Sequence, residues 1–515
     1  MATGCDRCRA GAAVATATYV RQVSHVTNMT RDLVSLVGGT QVLDDRDVLA
    51  SYASDESFVL SIKPRAVVRP GGEDEVHALV VWANRTGTPL VPVSSGAPHF
   101  YGDSVPSVPG AVMVDLSRMD KIIKVDSRNR IAVIEPGVTY RQLQPALAEE
   151  GLAIVPPLYP RANKSVVASL LERQPTLIPR YNYALTEPLR NCGVVWGNEQ
   201  KFSTGESGNS VPDIETQWNA GRRLLEPKGP AQTDFFRLLT GAQGTLGIVT
   251  WASVRVQLIP DSRKTLFVSA PELDDLVDLS YRLTRLRLGD ELLIVNAAYL
   301  TALLATDSAE AAVLRAALPA WTLVIGIGGR ALRAGQRVAV TEQDIAGEVA
   351  ARGLELQPAL PGMTSSRVDA VLGGVAADPH WKLRAKGGVA DIFFHTTLEN
   401  APGHLATMLR AAAAHEYPMA DVGVYLQPQH QGVSYHMEFS LPYAPEDKAD
   451  AAKARALYSA ASRRLMAEGA AYFSRPYGEW ADAVYNHDAA ARDILRAVKK
   501  ILDPNNILNP SKLCF

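Results

Sequence analysis

The segment Ser94-Ser-Gly-Ala-Pro-His-Phe-Tyr-Gly-Asp-Ser-Val-Pro106 decides the fold. It follows the apolar run Pro89–Val93 and precedes a second one, Ala111–Leu116. It therefore reads as a glycine-bearing loop between two strands. Gly96 and Gly102 let backbone approach a ligand, and successive N–H groups of such a loop can cradle an anion without a lysine. Upstream, Asp74–Arg85 carries apolar residues at helical spacing between Ala66–Val68 and Pro89–Val93, which gives a strand–helix–strand unit. Downstream, the Glu135-Pro-Gly137 turn leads into a helix from Tyr140 to Glu150, which Gly151 is placed to stop.

Beyond Pro260 the texture changes. Trp251–Pro260 alternates like a strand, whereas 262–460 mixes Ala- and Leu-rich helices such as Glu310–Leu318 with separate strands such as Trp321–Gly328. Gly423–Leu426 and Val433–Leu441 read as two strands joined by a turn, and Pro445–Gly469 and Ala489–Leu502 as helices. These features predict an N-terminal arm (1–30), a first domain (31–260), a second domain (261–468) and a closing segment (469–515).

With 515 residues the chain can bury more than one core. A 47% hydrophobic content and a net charge of −2 with both signs interspersed point away from nucleic acid and from a charged tail. No apolar run approaches the ~20 residues of a membrane span. The stretch Gly11–Tyr19 is too weakly apolar for a secretory signal, so a cytoplasmic protein is expected. Four cysteines do not make a disulfide scaffold. Cys5 and Cys8 have a metal-like spacing but no second pair, and the arm carrying them is expected to be disordered. Cys192 and Cys514 are expected to be buried as apolar residues.

Four ordered motifs, Ser94–Pro106, Val133–Thr139, Phe235–Thr250 and Ile501–Lys512, together resemble the FAD-binding oxidoreductases of the vanillyl-alcohol oxidase and p-cresol methylhydroxylase superfamily, from about residue 40 to the C-terminus. The resemblance implies an α+β protein: a discontinuous FAD-binding domain, closed by the last segment, with an inserted α+β cap over the substrate. It implies non-covalent FAD held by Ser94, Ser95, Gly96, Tyr101 and Gly102, by Glu135, Pro136, Gly137 and Val138, by Gly244, Thr245, Gly247, Ile248 and Val249, and by Asn509 and Lys512. The chain departs from the family at Ala97, Pro98 and His99, at Ser511, and in 163–175, where paired glycines are missing and Ser169 is the candidate contact. His99 is the position at which a covalent flavin link would fall.

For the substrate, the resemblance places Tyr101 where alkylphenol enzymes have a phenolate-binding tyrosine. It places Tyr472, Arg475 and Tyr477 where they have a Tyr-Arg pair, although no tyrosine adjoins Arg475 here. A phenol with a pKa near ~10 needs a guanidinium and hydroxyls to ionise at neutral pH. The same arginine could clamp a carboxylate. His436 and Glu438, two apart on a strand and so on one face, with His430 nearby, would be the ligands of a divalent metal in a 2-hydroxy-acid enzyme; no metal is expected. The reading is thus an FAD-dependent oxidase or dehydrogenase of a small hydroxylated substrate, with a para-alkylphenol ahead of a 2-hydroxy acid. The other class is an accessory electron-transfer subunit. A homo-oligomer, possible transfer of electrons to a protein acceptor, and no nucleic-acid or membrane partner complete the expectation.

Overall fold

Alternation along the strands of the second half of the chain sets the architecture. In Ser262–Ala270, Leu266 and Val268 enter one core while Phe267 enters another. Leu323 and Ile325 oppose Val324 in the same way, and Leu292 and Ile294 oppose Leu293 and Val295. A side-chain period of two sends alternate residues to opposite faces, so this sheet is covered on both. In the computed structural model, which describes residues 29–177, 188–205, 214–221, 234–377, 379–429, 432–478 and 480–515, it is a seven-stranded antiparallel sheet. Its order is 356–357, 262–270, 321–329, 291–296, 423–429, 434–443, 388–396. Helices Asp274–Leu286, Ala334–Ala350, Ala401–Ala414 and Lys448–Glu468 supply the core on one face. On the other face lie Ala297–Leu304, Ser365–Gly373 and three residues of the first half, Val155, Leu158 and Leu177.

The first half builds two smaller sheets. Strands Ala66–Val68, Val112–Asp115 and Leu90–Val93 are parallel, with Val42–Leu43 antiparallel at the edge. Helix Glu73–Thr86 packs Val76, Leu79, Val80 and Ala83 into the core they share. It begins with three acidic residues and ends at Gly87 in the left-handed region, as the helix dipole and C-capping favour. The other sheet is antiparallel, centred on the long strand Gly247–Leu258, which pairs with 131–134, 152–154 and 189–196. The expected helix and strand positions hold to within a few residues. Strand 423–429 runs further into the expected turn than its apolar residues suggested. Cys192 and Cys514 are buried; Cys5 and Cys8 lie outside the described residues. Among the described residues no helix is long and apolar enough to cross a membrane.

The C-terminal segment is stitched into the first sheets. Leu508 bridges Leu90, whose N–H donates to Ile507 O at 2.7 Å and whose carbonyl accepts Asn509 N–H at 2.8 Å. The buried Asp503 carboxylate accepts the N–H groups of Ile507 and Leu508 and the Lys499 ammonium at 2.6 Å. Lys499 also reaches the carbonyls of Thr245 and Leu508, tying the Gly244–Val249 segment to the tail. Asp503→Ala leaves a buried ammonium without its counter-ion and two buried N–H groups without acceptors. It should cost roughly 3–5 kcal/mol in urea unfolding; a loss under about 1 kcal/mol would show that the tail is not a structural fastener.

Candidate functional site

Between the loops of the first half and the inner face of the large sheet lies a cleft. One wall is Pro92–Ser95, His99–Tyr101, Asp103, Ser104 and Pro136, with Gly244, Gly247, Ile248 and Val249 beside them. The other wall is Tyr299, Trp381, Lys382, Asp391, Tyr425 and Glu438, and Arg475 and Tyr477 close one end.

The 94–103 loop is held by its carbonyls. Arg161 Nη1 donates to Gly96 O at 2.8 Å, Asn163 Nδ2 to Ala97 O at 2.7 Å, Lys512 Nζ to Gly102 O at 2.5 Å and Asn509 Nδ2 to Asp103 O at 3.0 Å. Two amides are used as well: Gly96 donates to Asn163 O and Gly102 to the Asp55 carboxylate. The N–H groups of Ser95, Phe100 and Tyr101 find no protein acceptor among the described residues. Arg161 and Lys164 line the same space. With burial first, these two cations lower the His99 pKa to about 4, so its ring is neutral near pH 7. Unspent amides beside two cations suit a pyrophosphate. The apolar walls Val93, Leu158, Val167, Leu171 and Ile248 suit a flat ring system. The residues present therefore fit FAD.

The sequence-selected residues divide by placement. Ser94, Ser95, Tyr101, Pro136, Gly244, Gly247, Ile248 and Val249 line the cleft. Others support it from behind. Gly102 has φ 79°, and a Cβ there would come within 2.3 Å of Val59; at Gly244, which itself lines the cleft, φ is 68° and a Cβ would come within 2.4 Å of Pro92. These two glycines serve backbone conformation and close packing. A Cβ at Gly96 would crowd Asn163, and one at Gly137 would meet the carbonyls of 116–119. Glu135 is engaged with the Lys121 amide, Val138 sits in the core, and the Thr245 hydroxyl donates to Ala242 O. Asn509 and Lys512 act on the loop carbonyls.

Two candidates stand apart. The Ser169 hydroxyl donates to Gln174, accepts from Tyr140 and is buried, and its N–H is in the helix, so it has nothing to offer the cleft. In its segment the cleft-lining groups are instead Arg161, Lys164 and Glu172. The paired charges of Arg161-Ala-Asn-Lys164 are the signal that the sequence carries for this segment, in place of paired glycines. Tyr472 pairs its backbone with His395 and leaves its side chain 70% exposed, away from the cleft.

The closed end is aromatic and charged. Tyr101 and Tyr477 stack at 5.0 Å, and Phe393 meets Tyr101 edge-on. Burial, then Asp391 and Glu438, raise the Tyr101 hydroxyl well above its ordinary pKa, against Arg475. The Arg475 guanidinium, in a residue 5% exposed, sits 4.0 Å over the Phe393 ring. No carboxylate among the described residues pairs with it. Deeper on the large sheet, Phe393 faces Glu438 across one strand pair and Tyr425 faces it across the other. Lys382 bridges Asp391 at 2.7 Å and Glu438 at 2.5 Å, and Tyr299 and Ser440 also donate to Glu438. Burial works against the charge on Glu438, yet Lys382 and His436 hold its carboxyl well below the usual range. His436 Nε2 lies 3.4 Å from Glu438; burial lowers its pKa to about 4 in spite of Glu438. His430 lies outside the described residues. Among those described, no group of three His, Cys, Asp or Glu side chains could hold a metal. Nothing in the linear pattern singled out Tyr299, Lys382 or Asp391; strand register brings Asp391 near Glu438, and two helical segments packed on the sheet, Ala297–Leu304 and Trp381–Leu383, bring Tyr299 and Lys382.

Asp103 gives a test of the cleft's electrostatics. Burial, then Glu172, raise its carboxyl to about 7, against Lys164 and Lys512. The ordinary value is near ~3.9. Between these values the folded protein holds a proton that the unfolded chain has released, so stability falls as pH rises through that window and levels off above it. Asp103→Asn removes this contribution. Urea unfolding at roughly pH 4.5, 6 and 8 should show the variant gaining on the wild type up to about pH 7 and holding its lead above. A pH-independent difference would contradict the assignment.

Residues 64–171 match the family described as FAD binding domain. A D-2-hydroxyglutarate dehydrogenase from Stutzerimonas stutzeri is 29% identical over 246 residues, 48% of this chain and 49% of that one. The 4-cresol dehydrogenase [hydroxylating] flavoprotein subunit of Pseudomonas putida is 28% identical over 202 residues, 37% of each. The chain spans about half the length, or less, of the curated relatives it matches. In architecture, substrate-bound p-cresol methylhydroxylase superposes with a TM-score of 0.76 at 20% identity, covering 94% of this chain and 96% of that one. 4-Ethylphenol oxidase from Gulosibacter chungangensis gives 0.75 at 19%, with the same coverage. The chain thus carries a match to an FAD binding domain at 64–171 within a fold that it shares with these two structures.

Proposed function

We propose that the protein is an FAD-dependent dehydrogenase or oxidase that removes two electrons from a para-alkylphenol-type substrate. The observation that carries this reading is Arg475: a buried guanidinium that no carboxylate among the described residues pairs, lying on Phe393 beside the Tyr101–Tyr477 stack. A buried cation without a counter-ion is costly unless a ligand supplies the anion. Two phenol hydroxyls with raised pKa stay protonated and donate to that anion. Together they favour the ionised form of a bound phenol. FAD, when bound, supplies the acceptor for the hydride leaving the para-benzylic carbon. Phenolate character pushes that hydride out and leaves a quinone methide. Phe393 and the tyrosine rings keep water from the charged end.

A 2-hydroxy acid is the second reading, supported by relatives such as the D-2-hydroxyglutarate dehydrogenase and by the affinity of an arginine for carboxylate. The geometry leans to the phenol. Glu438, which a hydroxy-acid enzyme of this fold would turn to a metal, has its Oε1 occupied by Lys382, Tyr299 and Ser440. We further infer a cap over 261–468, with 31–260 and 469–515 forming the FAD-binding part. The change of sheet between Leu258 and Ser262 and the Leu90–Leu508 bridge support that division. A relative that is a flavoprotein subunit supports a protein electron acceptor.

Arg475→Ala should slow flavin reduction by 4-alkylphenols by an amount equivalent to roughly 2–5 kcal/mol, with FAD content unchanged. Anaerobic stopped-flow absorbance measures it, and an unaltered rate would make the arginine structural. Gly102→Val should lower FAD content on purification, because the left-handed φ and the contact with Val59 both shift the loop. Full occupancy would put the phosphates elsewhere.

A further inference from the structure

A second cavity, of about 420 Å³, adjoins the cleft at its closed end, between loop 56–62, the start of helix Trp480–His487 and the turn at 511–513. Glu56, Ser57, Ser107, Gln243, Ser511 and Lys512 are part of its lining, enough donors and acceptors to hold water. It reaches the surface, because Leu60, Arg455 and Asp482 on its lining are exposed. The stacked rings of Tyr101 and Tyr477 form a wall between the two spaces, and Asp391 is part of the same wall. Strand period puts it there. Ala390, Ile392 and Phe394 enter the core behind the sheet, which turns Val389, Asp391 and Phe393 to the inner face, where cleft and chamber meet.

Oxidation of a phenol to a quinone methide sends a hydride to the flavin and leaves the hydroxyl proton over. That proton starts at the buried end of the cleft, away from solvent. We propose that Asp391 takes up this proton from the cleft and that water in the second chamber carries it to the surface. The inference rests on the phenol reading. In the step, the phenol O–H bond breaks and its electron pair stays on the oxygen. The proton passes by the Tyr101 hydroxyl, neutral before and after, to the Asp391 carboxylate. Asp391 is restored by giving a proton to the chamber.

The charges around Asp391 select it. Lys382 Nζ lies 2.7 Å from Asp391 and 2.5 Å from Glu438. One ammonium thus serves two carboxylates, and the trio has one negative charge in excess, which a proton can neutralise. Glu438 lines the cleft but not the chamber, and Lys382 and His436 hold it ionised while Tyr299 donates to it. Asp391 lines both spaces, with the Ser440 hydroxyl at 2.7 Å. Burial, with Glu438, raises its carboxyl against Lys382. After burial, Asp391 is also the largest influence on the Tyr101 hydroxyl. Arg475 shares the closed end of the cleft, and Glu56, Arg455, Asp482 and Lys512 stand around the chamber.

The test compares the FAD-loaded full-length protein with its Asp391→Asn variant in anaerobic flavin reduction by 4-methylphenol. At roughly pH 7 the variant should be slower by on the order of 100-fold, the size of general-base assistance. The loss should shrink as pH rises towards ~10, where the substrate arrives ionised. It should shrink at lower pH with 2,6-difluoro-4-methylphenol, whose fluorines make the hydroxyl more acidic. Asp391→Glu, which restores a carboxylate, should recover most of the rate. Ala481→Phe fills the chamber and leaves Asp391 in place; it should show the same pH-dependent loss, and it carries the test if Asp391→Asn loses its FAD. A loss that follows neither pH nor the acidity of the phenol overturns the path, as does full activity in Ala481→Phe. If 4-methylphenol does not reduce the wild-type flavin, the proposed reaction is what fails. The path is then tested by how fast the phenolate band of bound phenol, which has no para carbon, appears at neutral pH. A slower rise in both variants supports the path, and an equal rise overturns it.

Discussion

The site depends on how loop 94–103 is held. A loop that presents amides to an anion cannot also spend them on itself. Here the fixing is done through its carbonyls, by Arg161, Asn163, Asn509 and Lys512. Two of these come from the adjacent segment and two from some 400 residues downstream. The shape of the loop therefore depends on the docked C-terminal segment. This accounts for the tail being fastened by a buried ion pair and two strand-like hydrogen bonds rather than left to fray. It also gives the terminal Asn-Pro-Ser-Lys motif a physical role: Asn509 and Lys512 are positioning residues for the loop.

The same frame sets the chemistry. The first half supplies amides, two cations and apolar walls. The large sheet supplies a charged inner face whose members are strand neighbours: Asp391 opposite Ser440, Phe393 opposite Glu438, Tyr425 opposite Glu438. Lys382 is paired with two carboxylates, while Arg475 has none among the described residues. That asymmetry localises the vacant positive charge at the aromatic end and gives the proposed phenolate its place.

Much of this was legible in the sequence, for identifiable reasons. Strand–helix–strand order from 66 to 93 follows from hydrophobic period and a clean helix stop at Gly87. The loop, the Glu135-Pro-Gly137 turn and the Gly244–Val249 segment are local motifs, and local motifs survive without a fold. What failed was inference about which atom does what. Gly102 serves left-handed backbone and tight packing behind the cleft, whereas Gly244 combines both with a place in the cleft wall. Ser169 is the candidate in the segment that lacks the family's paired glycines, but its hydroxyl is consumed by Tyr140 and Gln174. Tyr472 was chosen by proximity to Arg475 in sequence, yet an extended segment turns neighbouring side chains to opposite sides. Tyr299, Lys382 and Asp391 leave no linear signal because tertiary packing of two helical segments on the sheet, together with strand register, unites them.

The central claim is that Arg475, Tyr101 and Tyr477 bind an ionised phenol. The direct measurement is the ultraviolet difference spectrum of a 4-alkylphenol bound to the flavin-loaded protein at neutral pH. The account predicts the phenolate band although the free phenol, with a pKa near ~10, is protonated there. A bound ligand with the neutral-phenol spectrum, or no binding at all, would contradict it.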